Sequence, residues 1–450
     1  MKKMQGIFNF LEKYLMGPMG KIATFKIVRA IMGAGMASVP FTIVGSMFLV
    51  FGNIPTTFPS TQAFFDNTVF RVYDLFMLGY KTTMGMLAIY FAIVIAYEYA
   101  KIYEQEEKVK FSPLNAGLLS MFAFFLCVPQ LTWADGKISL VHEVSDTATI
   151  IHGWAMGGDS VARFGTIGVF AAIIMAVVAV EIYRFCIVKN LTIKMPDSVP
   201  EGVSRAFAAL IPAFMVAFVV MIINGIFIVL GTDIFGVIAI PFSFVINMTN
   251  SWLGIMVIYF LVHALWIVGI HGANIVMAFV NPILLINMQE NINGANIAFA
   301  GEFTNAWVTI GGSGGTLGLT LFIAFFARSE QLKLLGRASV VPGLFNINEP
   351  IIFGLPIVYN PYLAIPFFLS PMVTASLGYF ATSLGFVKKM IAQVPWTSPG
   401  GVGAFIGTGG DVNAFFLGLI CVVVSLLIYL PFIIMYDRKL AKEELGEVAA

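Results

Sequence analysis

Long apolar runs separated by short polar connections are the feature that most restricts how this chain can fold. A helix needs about 20 mostly apolar residues to cross the hydrocarbon of a bilayer. Of the 450 residues, 59% are hydrophobic and only 11% are charged, whereas soluble domains carry about 25% charged residues. We therefore predict an all-α integral membrane protein with about ten transmembrane helices. The predicted spans are residues 28–51, 80–100, 113–134, 163–187, 206–231, 252–270, 271–288, 314–327, 361–386 and 411–436.

The distribution of basic residues predicts the orientation, because cytoplasmic connections carry an excess of Lys and Arg. Nineteen of the 25 basic residues lie in the N-terminal segment, in alternate connections and at the C-terminus. Both termini are therefore expected in the cytoplasm. Lys388 and Lys389 are the notable exceptions to this pattern. Residues 1–20 are polar and amphipathic, and we expect no cleaved signal peptide.

The two halves of the chain differ in how their apolar runs are interrupted. Residues 1–231 hold long spans and are predicted to form a scaffold and dimerisation domain. Residues 232–450 contain Gly, Pro, Asn and isolated charges inside apolar runs, a pattern typical of transport sites built from broken helices. We predict that this second half is the transport domain, with re-entrant hairpins near 294–313 and 341–358.

The segment GLFNINEPIIFGLPIVYNP, residues 343–361, is the strongest candidate for a binding site. Glu349 lies beside Asn348 among apolar residues, and a carboxylate at membrane depth normally faces a cavity or a partner. The prolines and glycines favour a hairpin that enters the membrane and returns. The alternative is a surface loop in which Glu349 is merely solvated.

A second segment, HALWIVGIHG at residues 263–272, places His271 and Trp266 in an apolar stretch. Imidazole donates and accepts hydrogen bonds, and an indole face suits the apolar face of a sugar ring. The alternative for His271 is a packing role. For His263, a structural role is favoured.

Three further segments carry small, flexible or aromatic residues. GGSGGT contains Gly312 and Ser313 and is too glycine-rich for a stable helix interior, which favours a hairpin tip near the substrate over a close helix crossing. It lacks the lysine of a nucleotide-binding loop. PWTSPGGVGAF contains Trp396, a stacking candidate or an interfacial anchor. HGWAMGGDS, with Asp159, is a weaker candidate.

These groups do not predict independent catalysis, a metal site or a cofactor. The three cysteines are widely spaced and are expected to be buried free thiols. One His, one Glu, amides, hydroxyls and indoles favour a neutral polyol, that is, a sugar. The net charge of +1 gives no indication of a nucleic-acid partner.

At these residues the chain resembles the membrane-embedded IIC component of the lactose/cellobiose/N,N′-diacetylchitobiose class of the phosphoenolpyruvate-dependent phosphotransferase system. The resemblance covers nearly the whole length, from FLEKYLMGPMGKIA (residues 10–23) through GIHG, GGSGGTLGL and FNINEP-IIFGLP to PWTSP. It implies a homodimer in the bacterial cell membrane. It also implies an elevator-like transport domain that binds a β-linked disaccharide of the cellobiose, lactose or diacetylchitobiose type.

The resemblance further implies that Trp266, His271, Glu349 and Trp396 contact the sugar. His271 and Glu349 would lie near the C6 hydroxyl, which receives phosphate from a phosphocysteine on IIB, itself supplied by IIA. No soluble stretch is long enough for either domain, so both are expected to be separate proteins. The competing hypothesis is an ion-coupled secondary transporter that uses Glu349 and His271. A membrane enzyme is a more distant third.

Overall fold

The computed structural model describes residues 21, 24–52, 54–142, 148–157, 160–196, 198–267, 271–355, 357 and 361–445. Helices account for most of this part of the chain. The helices are α1 Lys26–Gly52, α2 Ile54–Thr57, α3 Gln62–Asn67, α4 Tyr73–Lys81, α5 Leu87–Glu107, α6 Pro113–Cys127, α7 Val169–Val188, α8 Glu201–Ala208, α9 Leu210–Val229, α10 Ile234–Thr249, α11 Trp252–Ile267, α12 Gly272–Ile292, α13 Leu317–Phe326, α14 Glu330–Leu344, α15 Glu349–Gly354, α16 Pro361–Ser383, α17 Val402–Gly407 and α18 Val412–Glu444. The strands are β1 Leu131–Ala134, β2 Lys137–Leu140, β3 Ala148–Ile151, β4 Trp154–Gly157 and β5 Ser160–Val161.

Within the described residues, seven helical segments are long and apolar enough to cross a membrane, and the bent pair α10 and α11 raises the number to eight. The seven are Lys26–Gly52, Met84–Glu107, Thr166–Val188, Glu201–Val229, Gly272–Ile292, Leu363–Ser383 and Val412–Glu444. The prediction of a mostly helical membrane protein is confirmed. The count of about ten crossings and the re-entrant depth of the two hairpins stay predictions.

Five short strands were not part of the predicted all-α fold. β1 and β2 pair antiparallel, as do β3 with β4 and β4 with β5. Asp135 and Gly136 both have positive φ, 51° and 72°, and this Asp-Gly pair is a favoured two-residue hairpin turn. The predicted span 113–134 was therefore too long, because α6 ends at Cys127 and Leu131 begins a strand.

The chain forms two compact units, of which one holds the described residues of Ala23–Gly45 and Met77–Ile246. Its core is made by α5, α6 and α7, and small residues form the contacts. Ala88, Ala92, Ala96 and Ala100 repeat every four residues along α5 and are fully buried. Small side chains allow membrane helices to approach closely without a hydrophobic driving force between them.

The other unit holds the described residues of Met1–Ile22, Ser46–Phe76 and Asn247–Ala450. Helices α13 and α14 form a tight antiparallel pair, in which a Cβ on Gly336 would overlap the backbone of Ala324. Helices α16 and α18 pack against each other, and α11 packs against α16. All seven predicted binding residues lie in this unit.

Candidate sugar-binding site

A loop of small residues, Gly311–Gly315, precedes α13 and is held by hydrogen bonds to its backbone. We call it the glycine loop. The hydroxyl of Tyr429 donates to the carbonyl of Gly314 at 3.0 Å. The hydroxyl of Ser425 donates to the carbonyl of Gly315. Both donors are on α18 and are buried, so a loop with little secondary structure still has a fixed position.

Asn348 connects the glycine loop to the Asn-rich segment before α15. Its Nδ2 donates to the carbonyl of Ser313 at 2.7 Å and to the hydroxyl of Thr316 at 2.8 Å. Gly312 has φ +92°, and a Cβ there would overlap the Asn348 side chain. Only glycine combines this backbone conformation with the close approach. Three predicted site residues, Asn348, Gly312 and Ser313, are therefore in direct contact.

Asn346 connects the same loop to the segment that contains Trp396. Its Oδ1 accepts from the Gly311 N–H at 2.7 Å. Its Nδ2 donates to the carbonyls of Trp396 and Ser398 at 2.6 and 3.0 Å. One buried amide thus joins the three segments GGSGG, FNINEP and PWTSP. Sequence reasoning gave Asn346 no role of its own, although it is the residue that connects these segments.

His263 is fully buried and has a structural role, as the sequence favoured. Its Nδ1 lies 2.7 Å from the carbonyl of Tyr259, and its Nε2 accepts from the Gly314 N–H at 3.0 Å. A carbonyl oxygen can only accept, so Nδ1 carries the proton and the ring is neutral. His263 therefore supports the glycine loop from α11.

Trp266 and His271 are adjacent at the C-terminal end of α11 and the start of α12. Their ring centroids are 4.3 Å apart and the ring planes are inclined by 46°. Nδ1 of His271 accepts from the Asn274 N–H at 3.2 Å, so Nδ1 is unprotonated and Nε2 of the neutral ring is a donor. The Trp266 Nε1 is buried and has no hydrogen-bond partner among the described residues. A ligand acceptor would satisfy it.

Glu349 and Trp396 are accessible rather than buried. Glu349 is the first residue of α15, is exposed and interacts electrostatically with His271. Trp396 is 46% exposed and joins the other segments through its backbone carbonyl, not through its indole. Accessible side chains over a buried amide framework can receive a hydroxyl-rich ligand. Asp159, the weaker candidate, lies outside the described residues.

A buried carboxylate, Glu302, was missed by sequence reasoning. It accepts hydrogen bonds from the side-chain amides of Asn305 and Gln393, and the Thr309 hydroxyl donates to Asn305 Oδ1 at 2.7 Å. Glu302 lies outside the seven long helices, and burial raises its pKa to about 7. The signal that selected Glu349, a lone carboxylate in an apolar stretch, also applies to Glu302.

Comparison with known proteins gives consistent results. The family "Phosphotransferase system, EIIC" matches residues 32–371. The chain is 36% identical to the lichenan permease IIC component of Bacillus subtilis (strain 168), over 98% of this chain and 96% of that one. It is 35% identical to the cellobiose-specific EIIC component of Geobacillus stearothermophilus, over 98% and 96%.

A solved structure agrees with these relatives. The crystal structure of the transporter ChbC, the IIC component from the N,N′-diacetylchitobiose-specific phosphotransferase system, matches with a TM-score of 0.86 and 35% identity. The match covers 98% of this chain and 100% of that one. Because the similarity extends over nearly the full length in both sequence and fold, this chain belongs to the EIIC family of phosphotransferase-system membrane components.

Proposed function

We propose that this chain is the sugar-translocating IIC subunit for a β-linked disaccharide of the cellobiose, lactose or diacetylchitobiose type. The observation that carries the proposal is the Trp266–His271 pair, whose imidazole interacts electrostatically with Glu349. It offers an aromatic face, a hydrogen-bond donor and a charged acceptor at a break between two helices. The names of the lichenan, cellobiose and diacetylchitobiose relatives support this substrate class.

The two polar side chains take different roles in this proposal. His271 donates from Nε2, since its Nδ1 is engaged by the Asn274 N–H. Glu349 is the acceptor, because its carboxylate has no proton to donate when ionised. Trp266 and Trp396 are the proposed aromatic surfaces, of which Trp396 is exposed and Trp266 is buried, with no partner for its Nε1 among the described residues. Asn348, which precedes Glu349 in the chain, donates a hydrogen bond to the glycine loop.

The proposed transfer step uses the C6 hydroxyl of the bound sugar. Its oxygen forms a bond to the phosphorus of a phosphocysteine on a separate IIB protein, which IIA recharges. The S–P bond breaks and the cysteine thiolate leaves, while the hydroxyl proton passes to Glu349. The charged product binds a neutral-sugar site less well and is released into the cytoplasm. Phosphorylation thereby gives transport its direction.

We propose that the transport domain, residues 232–450, moves as a rigid body, in a homodimer whose two termini face the cytoplasm. Residues 1–231 would supply the dimer scaffold. The support is that the residues which hold the site contact one another within a single compact unit. The hydrogen bonds of Asn346, Asn348 and His263 all stay inside that unit. A site fixed in this way can move with its domain while its internal hydrogen bonds are kept.

Two measurements test the function. Purified protein is titrated with cellobiose, lactose, diacetylchitobiose and the α-linked control maltose, and tight binding is expected for one or more β-linked sugars only. Uptake is then measured in vesicles with and without the phosphocarrier proteins. We expect sugar phosphate to accumulate only when they are present. Free sugar accumulated on a proton gradient alone would support the ion-coupled alternative.

A further inference from the structure

Two neighbouring cavities of the site-bearing unit have contrasting chemistry. The first, about 450 Å³, is lined by Lys388 and Lys389 with Asn296 among other residues, and we call it the lysine pocket. The second, about 680 Å³, is lined almost entirely by apolar side chains of α11 and α16, and we call it the apolar groove. Both volumes fall in the range of about 300–1,000 Å³ that is usual for ligand sites.

One turn of chain separates the two cavities. Gly385 follows α16 with φ +77°, and the Phe386 N–H donates back to the Ala381 carbonyl at 2.8 Å, a common way to end a helix. The residues around this turn are divided between the two cavities. Leu384 and Phe386 line the apolar groove, whereas Gly385 and Lys388 line the lysine pocket.

The lysine pocket has excess positive charge. Neither Lys388 nor Lys389 forms an ion pair with a carboxylate among the described residues. The Lys389 ammonium donates to the carbonyl of Ala295. Asp411, the neighbouring carboxylate, is buried and accepts from the backbone N–H groups of Lys388 and Asn413 at 2.7 and 3.0 Å. The exposed Lys388 ammonium is therefore available to an anion.

The apolar groove has the character of a lipid-facing surface. Leu384 and Phe386 are 69% and 68% exposed, which is costly in water. At the groove, Trp252 donates from Nε1 to the Ser376 hydroxyl at 2.9 Å and packs against Phe380 with ring centroids 6.0 Å apart. Tryptophans with one polar contact and one apolar face are enriched at the level of lipid headgroups.

We propose that the lysine pocket and the apolar groove together bind one anionic glycerophospholipid. The phosphate lies in the pocket against Lys388 and Lys389, and an acyl chain lies in the groove. A free phosphate would use the pocket but leave the groove uncovered. A lipid would occupy both the lysine pocket and the apolar groove. It would also account for two adjacent lysines that depart from the charge pattern of the other connections.

The test uses the full-length protein in detergent with added phosphatidylglycerol or phosphatidylcholine of identical acyl chains. Lipid retention is counted by native mass spectrometry and thermal stability is followed in parallel. Wild-type protein should retain phosphatidylglycerol selectively. K388Q/K389Q should lose that selectivity by about 30-fold, the factor equivalent to about 1 kcal/mol for each lysine. The matched control R71Q/K137Q also removes two basic residues and should behave as wild type.

A second pair of variants tests the groove. Leu377→Trp fills it and should reduce retention of both lipids, whereas Leu377→Ala widens it and should not. Unchanged phosphatidylglycerol selectivity in K388Q/K389Q would overturn the proposal. Displacement of the lipid by glycerol phosphate at equal concentration would indicate a free-phosphate site instead. A change in oligomeric state of Leu377→Trp with unchanged lipid retention would show that a second copy covers the groove. Unfolding midpoints in phosphatidylcholine confirm that each variant is folded.

Discussion

At the scale of single residues, the two histidines near the site hold opposite tautomers and this separates their roles. His263 carries its proton on Nδ1, because the Tyr259 carbonyl must receive it. His271 carries its proton on Nε2, because the Asn274 N–H occupies Nδ1. The first arrangement satisfies both nitrogens inside the protein. The second leaves one donor for a ligand, so we propose that His271 and not His263 is the binding histidine.

Glu349→Gln is the first prediction at this scale. The variant keeps the shape and hydrogen-bonding capacity of the side chain but removes its ability to take a proton. Positioned proton acceptors contribute about 100-fold or more to rate, so phosphorylation-coupled uptake should fall by that factor. Sugar affinity should change much less, because the amide oxygen still accepts. Vesicle uptake and calorimetric titration measure the two effects, and wild-type uptake by the variant would remove Glu349 from the mechanism.

Trp266 is expected to act by stacking and by its Nε1–H. Trp266→Ala should weaken disaccharide binding by about 1–3 kcal/mol, by analogy with bases stacked on aromatic residues. Trp266→Phe keeps an aromatic face and loses the donor, so it should cost only about 1 kcal/mol. Titration calorimetry separates the two contributions. Equal affinities for wild type and both variants would assign Trp266 to packing alone.

At the scale of elements, the site depends on a loop whose conformation only glycine permits. Gly312 combines φ +92° with contact to Asn348, whereas Gly294 has φ +113° and open space where a Cβ would project. Gly294→Ala should therefore cost only the backbone strain, about 1–3 kcal/mol. Gly312→Ala should cost a further 1–3 kcal/mol or so from overpacking and should weaken sugar binding.

Thermal unfolding and sugar titration of the two alanine variants provide the comparison. We expect Gly312→Ala to be the less stable variant and binding to fail in it alone. If both variants lost the same stability and both bound sugar normally, the close approach of Asn348 to the glycine loop would not matter for the site.

The segments of the candidate site could be selected from the sequence, whereas the contacts between them could not. Glu349, His271 and the glycine loop were selected because polar or flexible residues are conspicuous in apolar runs. The central role of Asn346 was not foreseen, because its three partners lie 35, 50 and 52 positions away, and no local pattern encodes such contacts. The strands at residues 131–140 were not predicted, because an apolar run does not by itself distinguish a strand from a helix. The Asp135-Gly136 pair is a turn signal that could have indicated them.

At the scale of the whole molecule, the proposed function requires that phosphate never be carried by this chain. Cys127, Cys186 and Cys421 are the three cysteines, and all are buried and free. Cys186 is on α7, Cys127 ends α6 and Cys421 is on α18, each enclosed by packed helices. A thiol in that position cannot meet both a soluble phosphate donor and the sugar.

A variant with all three cysteines changed to alanine should therefore retain sugar phosphorylation when wild-type IIB and IIA are supplied. Each substitution removes one buried atom and should cost on the order of 1 kcal/mol of stability, so the unfolding midpoint is expected to fall while uptake per folded molecule is preserved. The matched control is a IIB variant whose phosphorylated cysteine is replaced. With this IIB variant, uptake should be abolished for either form of this chain. The thiolate of the phosphocysteine is the leaving group of the proposed transfer. If a folded cysteine-free chain bound sugar but supported no phosphorylation, the phosphate-carrying cysteine would belong to this chain and not to IIB, and the proposal would be wrong.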